Sequence, residues 1–427
     1  MDTMNGRPDF WCSSTSVREM LDTTIRVKDG PPSVCLVGGT RPEGLKLAPV
    51  AVAMREGARL SPVIISSGQH PTMFHQALEG FQLRPDVSVE LTRRDGGQVE
   101  LTSLLLSELD RVFRDCQPDA VVVQGDTTTA LAAALAAFWQ AIPIVHLEAG
   151  LRSGDLSAPF PEEANRKLVG QIASLHLAPT PAAARNLGRD GISGPHVLTI
   201  GNTIVDAALG LCRQHGVFSC TELDAVERRV AGGKRRLVLA TVHRRESWGA
   251  PLGRVLSAVA ELVRTVADLE VVLPAHPNPQ VRDQVVAHLG RLDRVTVTEP
   301  LPYVDLVRLM RRATLVISDS GGIQEEVASF GVPVLVLREV TERAEAVQAG
   351  IARLVGTNKR AILDAARHVL ALTADGRRWP CAGNPFGDGM ARYRAEQAIA
   401  WRLGLAGRPP APFTPPSSVH QERMVSR

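Results

Sequence analysis

Short apolar runs recur along this chain, each followed by small or polar turn residues and then by a stretch of helical periodicity. Runs that are apolar at nearly every position, without polar alternation, belong to parallel strands covered on both faces by helices. In the first half they fall at 34–37, 63–66, 120–123, 142–147, 175–178 and 196–200, and in the second at 237–242, 269–273, 295–297, 315–318, 332–337 and 352–355. Two sets of six strands, with no motif shared between them, predict an α/β protein of two doubly wound Rossmann-like domains rather than a repeat array. The boundary is expected near Gly201-Asn202-Thr203, giving domains over 33–203 and 204–395. Open sheets of this kind bind ligands beyond the carboxyl ends of their strands, so two that face each other share one cleft.

Residues 1–32 read as a flexible extension with a short helix at 16–21, and 396–427 as the end of a helix followed by a tail. Five prolines in that tail, Pro409, Pro410, Pro412, Pro415 and Pro416, predict disorder. Length agrees with the domain reading, since 427 residues at ~150 per domain allow two or three cores.

Charge narrows the partners. Lys+Arg 48 against Asp+Glu 45 leaves +3, too near neutral for a protein held on nucleic acid by a dense basic stripe, while a small, highly charged substrate stays open. No uninterrupted apolar stretch of ~18 residues is present to cross a membrane. The first ~30 residues lack the apolar segment of a secretory signal. A cytoplasmic protein with neither a nucleic-acid nor a membrane partner is expected. Six scattered cysteines (Cys12, Cys35, Cys116, Cys212, Cys220, Cys381) lack C-x-x-C spacing, so reduced structural thiols are expected and no zinc site.

Candidate chemistry gathers at the ends of the predicted strands. After the first, Gly38-Gly39-Thr40-Arg41-Pro42-Glu43 opens a helix that carries Lys46, one of only five lysines. Glycines let the backbone approach a ligand and the two cations stand at a helix N-terminus, which suits a phosphate as well as an ordinary βα turn. Asp126 follows the third strand and Glu148 the fourth, so both acids should point into the cleft, although either alone would serve as an N-cap. Glu162 opens a helix after Pro159-Phe160-Pro161, where a first-turn acid also complements the helix dipole. Three acids converging on one cleft would raise the pKa of at least one of them, as proton transfer requires.

In the second half, His243 ends the strand 237–242 and is followed by Arg244 and Arg245, a candidate anion site. Ser320-Gly321-Gly322 lead into a helix, offering N–H groups and a hydroxyl to a diphosphate. Glu326, one turn in, is placed to take ribose hydroxyls or to be a plain first-turn acid, and Arg338 and Arg343 add positive charge to the same edge.

These residues resemble the non-hydrolysing UDP-N-acetylglucosamine 2-epimerases, a family with the two-domain GT-B-like fold of certain glycosyltransferases. The resemblance spans 33–395 and rests on Gly-Thr-Arg-Pro-Glu at 39–43, Gly-Gln-His at 68–70, Gln-Gly-Asp-Thr-Thr-Thr at 124–129 and His-Leu-Glu-Ala-Gly-Leu-Arg at 146–152. It continues through Pro-Phe-Pro-Glu-Glu-Ala-Asn-Arg at 159–166, Gly-Asn-Thr at 201–203, His-Arg-Arg-Glu at 243–246, Asp-Ser-Gly-Gly-Ile-Gln-Glu-Glu at 319–326, Thr-Glu-Arg at 341–343 and Asn-Pro-Phe-Gly-Asp-Gly at 384–389.

What the resemblance implies is interconversion of UDP-GlcNAc and UDP-ManNAc by elimination and re-addition of UDP through a 2-acetamidoglucal. It makes Asp126, Glu148 and Glu162 the carboxylates of the reaction and His243 the residue that assists the departing diphosphate; which acid serves which face of C2 stays open. Arg41, Lys46, Ser320, Gly321, Gly322, Glu326 and Arg343 become nucleotide-sugar contacts. No metal or other cofactor is implied, and a homodimer is.

Gln69, His70 and His276 correspond to the family's activating second site, with Thr72 where a longer polar residue is common; the same three also read as turn residues that satisfy backbone groups. Leu306 stands where a Phe commonly meets the uracil, which opens the choice of base, and Ala344 replaces a Pro. A hydrolysing variant that releases ManNAc and UDP keeps the same elimination. A glycosyltransferase needs a single base, so three acids count against it, and a catalytically silent binding module ranks last because no motif acid is missing.

Overall fold

The computed structural model describes residues 30–416, apart from 215, 245–246, 375–376 and 378. The N-terminal extension through 29 with its expected helix, Arg245 and the rest of its motif at 246, and the tail beyond 416 lie outside the described residues.

The first sheet is built from β1 (Ser33–Gly38), β2 (Ser61–Ser66), β3 (Val87–Ser88), β4 (Ala120–Gln124), β5 (Ile144–Leu147), β6 (Leu175–Ala178) and β7 (Val197–Thr199). The second comprises β8 (Arg236–Thr241), β9 (Leu269–Pro274), β10 (Val295–Thr298), β11 (Ala313–Ser318), β12 (Val334–Val336) and β13 (Ala352–Leu354). Among the described residues their orders are β3-β2-β1-β4-β5-β6-β7 and β10-β9-β8-β11-β12-β13. Every pairing is parallel. The strand absent from the sequence-based set is β3, two residues long, which adds to the edge through Ile65 and Ser66 and has no apolar run of its own.

Alternate residues of a central strand go to opposite faces, and both faces are buried. In β1, Val34 and Leu36 join Leu47, Ala48 and Met54 of the helix Arg41–Gly57 in one cluster. Cys35 and Val37 join Leu105, Leu109 and Ala133 on the other side. β8 repeats the pattern, with Leu237 and Leu239 in one cluster and Val238 and Ala240 in another. This double burial is why these strands read as unbroken apolar runs.

Strand order reverses between β1 and β4 in the first sheet and between β8 and β11 in the second. At such a switch point the connecting helices leave toward opposite faces and open a crevice beyond the strand ends. The turns after these four strands hold Gly39–Arg41, Gly125–Asp126, His243 and Asp319–Gly322.

The lobes are joined apolarly as well as by the chain. Leu45 and Ala77 of the first share a cluster with Ile204, Val205, Leu301 and Tyr303. The helix Ala391–Arg402 crosses back, burying Ala395, Ala398 and Ile399 against Leu36 and Met54, and Glu396 pairs with Arg59 at 2.5 Å. The tail expected to be disordered is held in place as far as residue 416: the Phe413 N–H donates to the Thr199 carbonyl at 2.8 Å, and its ring is buried beneath Arg394. Backbone pairing with β7 and one buried ring order a segment whose prolines alone suggested otherwise. No helix among the described residues is long and apolar enough to cross a membrane.

Three histidines line up across adjacent strands. His146 of β5 and His176 of β6 are in register, with ring centroids 6.5 Å apart, and His196, just before β7, lies 5.7 Å from His176. Burial lowers His146 to about 4 and His176 to about 3. An unfolded chain binds protons at these positions near pH 6.5, so between 6.5 and those lowered values it holds more protons than the folded one. Stability from the pair is therefore complete above pH 6.5 and is lost as pH falls, by about 2 kcal/mol per histidine at pH 5. Thermal unfolding of His176→Gln should show a smaller loss of Tm between pH 7 and pH 5 than the parent; an equal loss would refute the assignment.

Candidate active site at the interlobe cleft

The two turns of the first switch point are stapled together by a buried acid. Thr40 and Glu43 form a capping box at the start of Arg41–Gly57. Glu43 Oε2 accepts the N–H groups of Gly39 at 3.0 Å and Thr40 at 2.8 Å, while Oε1 accepts the Thr127 hydroxyl at 2.6 Å from the turn after β4. Burial pushes the Glu43 carboxyl up, against these hydrogen bonds. Gly39 leaves no room for a side chain, because a Cβ there would lie 2.1 Å from Ser67 Oγ. Gln69 and His70, in the turn after β2, bond to these turns: the Thr129 hydroxyl donates to Gln69 Oε1 at 2.7 Å, and the His70 N–H donates to the Gly39 carbonyl at 2.8 Å. Arg41 reaches the other lobe, donating to the Leu301 carbonyl at 3.1 Å with its guanidinium 5.9 Å from the Tyr303 ring centre. Burial draws Arg41 below the ordinary arginine value.

Asp126 and Glu148 both face this cleft, in contrasting environments. Arg166 places Nε and Nη2 on Asp126 Oδ2, each at 2.7 Å, and Asn165 donates to the Asp126 carbonyl at 2.8 Å. Burial raises the Asp126 pKa, with Arg166 opposing and Glu148 adding to the rise. Glu148, at φ 62°, takes Lys46 Nζ on both oxygens at 2.7 and 2.6 Å. Gln124 donates to its Oε2 and Asn202 to its Oε1 at 3.2 Å. Burial works against the Glu148 charge, but Lys46 outweighs it and holds the carboxyl below its usual range. Two neighbouring carboxyls are thus pushed in opposite directions, the arrangement that separates a proton carrier from a fixed charge.

The fixed charge continues across the cleft. Asn202 Nδ2 also donates to Glu325 Oε2 at 3.1 Å, and Arg343 Nε donates to Glu325 Oε1 at 2.8 Å. Arg343 Nη1 pairs with Glu342 at 2.7 Å. Burial opposes the charge on Arg343, yet Glu325, Glu148 and Glu342 together raise its pKa. Burial drives Glu325 upward in turn.

Glu162 opens the helix Glu162–Ile172 half-buried, and no hydrogen bond or ion pair of its side chain occurs among the described residues. The same helix supplies Asn165 and Arg166 to Asp126. Its neighbour Glu163, which the sequence did not single out, is fully buried; it accepts the N–H groups of Ser153 at 3.0 Å and Gly154 at 3.3 Å and pairs with Arg166 at 3.2 Å.

In the second lobe, buried Asp319 organises the turn after β8. It accepts the N–H groups of His243 and Arg244, the latter at 3.0 Å, and the Ser247 hydroxyl at 2.9 Å, while its Oδ1 lies 3.1 Å from His243 Nδ1. Burial opposes ionisation of Asp319, but His243 and these donors keep its pKa below normal. Half of the His243 side chain stays exposed, and with Nδ1 on Asp319 it is Nε2 that is left for a ligand. Ser320 caps the helix Gly321–Ala328, its hydroxyl accepting the Ile323 N–H at 3.5 Å. Gly321 lies under Arg343, where a Cβ would come 3.3 Å from the guanidinium, and a Cβ on Gly322 would meet Glu326 at 3.5 Å. Burial, with Glu325 adding, pushes Glu326 up to about 7.

Leu306, on the helix Tyr303–Arg312, packs half-buried against the second lobe's core. His276 accepts the Asn278 N–H at 3.1 Å, and its ring centre lies 5.2 Å from that of Trp248 with the planes tilted by 58°. No hydrogen bond joins it to Gln69 or His70 among the described residues. Of the interlobe bridge, sequence reading found Lys46, Glu148 and Arg343 but passed over Asn202 and Glu325. The signal for Asn202 was its place directly after a strand end, and for Glu325 its place beside Glu326 in an anion-binding turn.

Two doubly wound lobes with ionisable groups of both signs gathered where their switch points face each other define an α/β protein of GT-B-like architecture. The chain belongs to the UDP-N-acetylglucosamine 2-epimerase family, whose sequence model matches residues 52–400. It is 40% identical over 369 residues to the UDP-N-acetylglucosamine 2-epimerase of Escherichia coli, an alignment covering 86% of this chain and 98% of that one. With the enzyme of Bacillus subtilis the identity is 38% over 381 residues, covering 89% and 98%. The crystal structure of UDP-GlcNAc 2-epimerase from Neisseria meningitidis bound to UDP-GlcNAc superposes with a TM-score of 0.77 at 34% identity, covering 86% of this chain and all of that chain.

Proposed function

We propose that the protein inverts C2 of a UDP-linked 2-acetamido sugar, interconverting UDP-GlcNAc and UDP-ManNAc. In the forward direction a carboxylate removes the C2 proton as the C1–O bond breaks. The C1=C2 double bond of a 2-acetamidoglucal forms, and the electron pair leaves on the UDP diphosphate. A proton then returns to the opposite face of C2 while UDP adds back to C1. C2 has no ring carbonyl beside it to acidify its proton, so charge on the departing diphosphate is what the site must stabilise. Arg41, Arg343, the Ser320 hydroxyl and the N–H groups of Gly321 and Gly322 are the donors for it, the Ser320 N–H being taken by Ser318 Oγ at 3.0 Å, with His243 Nε2 assisting departure and return.

The observation that carries the reading is the pair Asp126 and Glu148, adjacent carboxyls shifted in opposite directions within one cleft. Asp126, raised by burial, is the carboxyl suited to exchange a proton. Glu148, saturated by Lys46, Gln124 and Asn202, supplies standing negative charge. Glu162, with no partner of its own among the described residues, is the group for the opposite face. The names and bound ligand of the relatives support the substrate class.

Turnover of UDP-GlcNAc in deuterated water should place deuterium at C2 of both epimers. Epimer formation with no deuterium at C2 would exclude proton transfer at that carbon. Accumulation of free ManNAc and UDP would instead identify the hydrolysing outcome.

A further inference from the structure

A cavity of ≈ 970 Å3 opens at the amino ends of the second sheet, beside the first residues of β8 and β11 and the turn that leads into β12. β8 has six residues, so the cavity lies roughly 20 Å from the cleft edge at the strand's other end. Five arginines line it, Arg213, Arg235, Arg236, Arg311 and Arg377, against one acid, Asp268. That acid is already matched, held by Arg236 at 2.6 and 2.9 Å. Arg213 and Arg311 are exposed and make no ion pair among the described residues; Arg311 donates to the Cys212 carbonyl at 3.0 Å. Arg235 stands 3.8 Å from Glu270, whose nearer partner is Arg229 at 2.9 Å. Uncompensated guanidinium groups around a concavity focus a positive potential, and their forked donors match phosphoryl oxygens. Trp379 adds a fixed aromatic plane to the wall, its indole N–H donating to the Gly350 carbonyl at 2.7 Å.

We propose that this cavity is a second anion site, which takes a polyphosphate group, either free or carried on a nucleoside whose base stacks on Trp379. It uses none of the residues of the interlobe cleft and stands whether or not the epimerase reading holds.

Titration calorimetry of the full chain with inorganic tripolyphosphate and with ATP tests it. Arg213→Gln/Arg311→Gln should weaken tripolyphosphate binding about ten-fold or more, through loss of two charge-assisted contacts, with Tm and epimerase turnover unchanged. Arg343→Gln, in the cleft, should leave this isotherm in place. Tighter binding of ATP, reduced by Trp379→Leu, assigns a nucleoside polyphosphate; equal affinities assign the free polyphosphate. No measurable binding, or binding that Arg213→Gln/Arg311→Gln leaves unchanged, overturns the site.

Discussion

Glu148→Gln is expected to lower turnover roughly 10³-fold and to destabilise the fold by about 3 kcal/mol, the first from loss of the charge we propose organises proton transfer and the second from a poorly matched buried cation. Lys46 is only 12% exposed and has both oxygens of Glu148 as its partners at 2.7 and 2.6 Å. A neutral amide leaves its ammonium buried with only Glu325, already paired with Arg343 at 2.8 Å, as counter-charge. The same substitution removes a charge that raises the Asp126 pKa, so the acidic limb of the rate profile should move to lower pH. Lys46→Met/Glu148→Gln separates the two consequences. Removing both charges should recover much of the lost stability while turnover stays low, because the desolvation cost of the two buried ions is removed together with their attraction. Wild-type deuterium exchange at C2 in Glu148→Gln would show that the interlobe bridge is not part of the reaction.

Position along a strand was the part of this site open to sequence reading, and side-chain pairing was not. Asp126, Glu148, His243 and Ser320 follow buried strands directly, so the switch-point rule brings them to one crevice without any knowledge of tertiary contacts. Their partners come from far along the chain: Lys46 lies 102 residues from Glu148, and Asn202 lies 123 from Glu325. Lys46 accordingly reads as a phosphate cation until its ammonium is found on a carboxylate. The N-cap reading of Asp126 falls for a local reason, since Thr127 performs that task by accepting the Ala130 N–H at 3.0 Å. Adjacent acids are the hardest to sort. Glu162 and Glu163 differ by one helical position, about 100° of rotation, and that alone puts Glu163 in the core and leaves Glu162 partly exposed. The disorder reading fails up to residue 416 for a related reason, because proline content says nothing about whether one ring, here Phe413, finds a pocket.

Glu326→Gln is expected to stabilise the protein by about 3 kcal/mol at pH 8 and to change little at pH 5. Burial and Glu325 lift this carboxyl from 4.5 to about 7, so between those values the folded chain holds a proton that the unfolded chain has lost. Stability contributed by the protonated form is present below 4.5, declines as pH rises toward 7, and is gone above it. Gln cannot ionise and escapes that decline. The carboxylate persists, on this reading, because an ionised acceptor beside Gly322 suits ribose hydroxyls, and KM for UDP-GlcNAc should therefore rise in the stabilised variant. Urea denaturation at the two pH values, with KM measured at pH 8, decides the matter. Equal stabilisation at both would mean that Gln merely packs better, whereas none at pH 8 would mean that the charge is already compensated by Arg41 and Lys46, the two cations that oppose the shift.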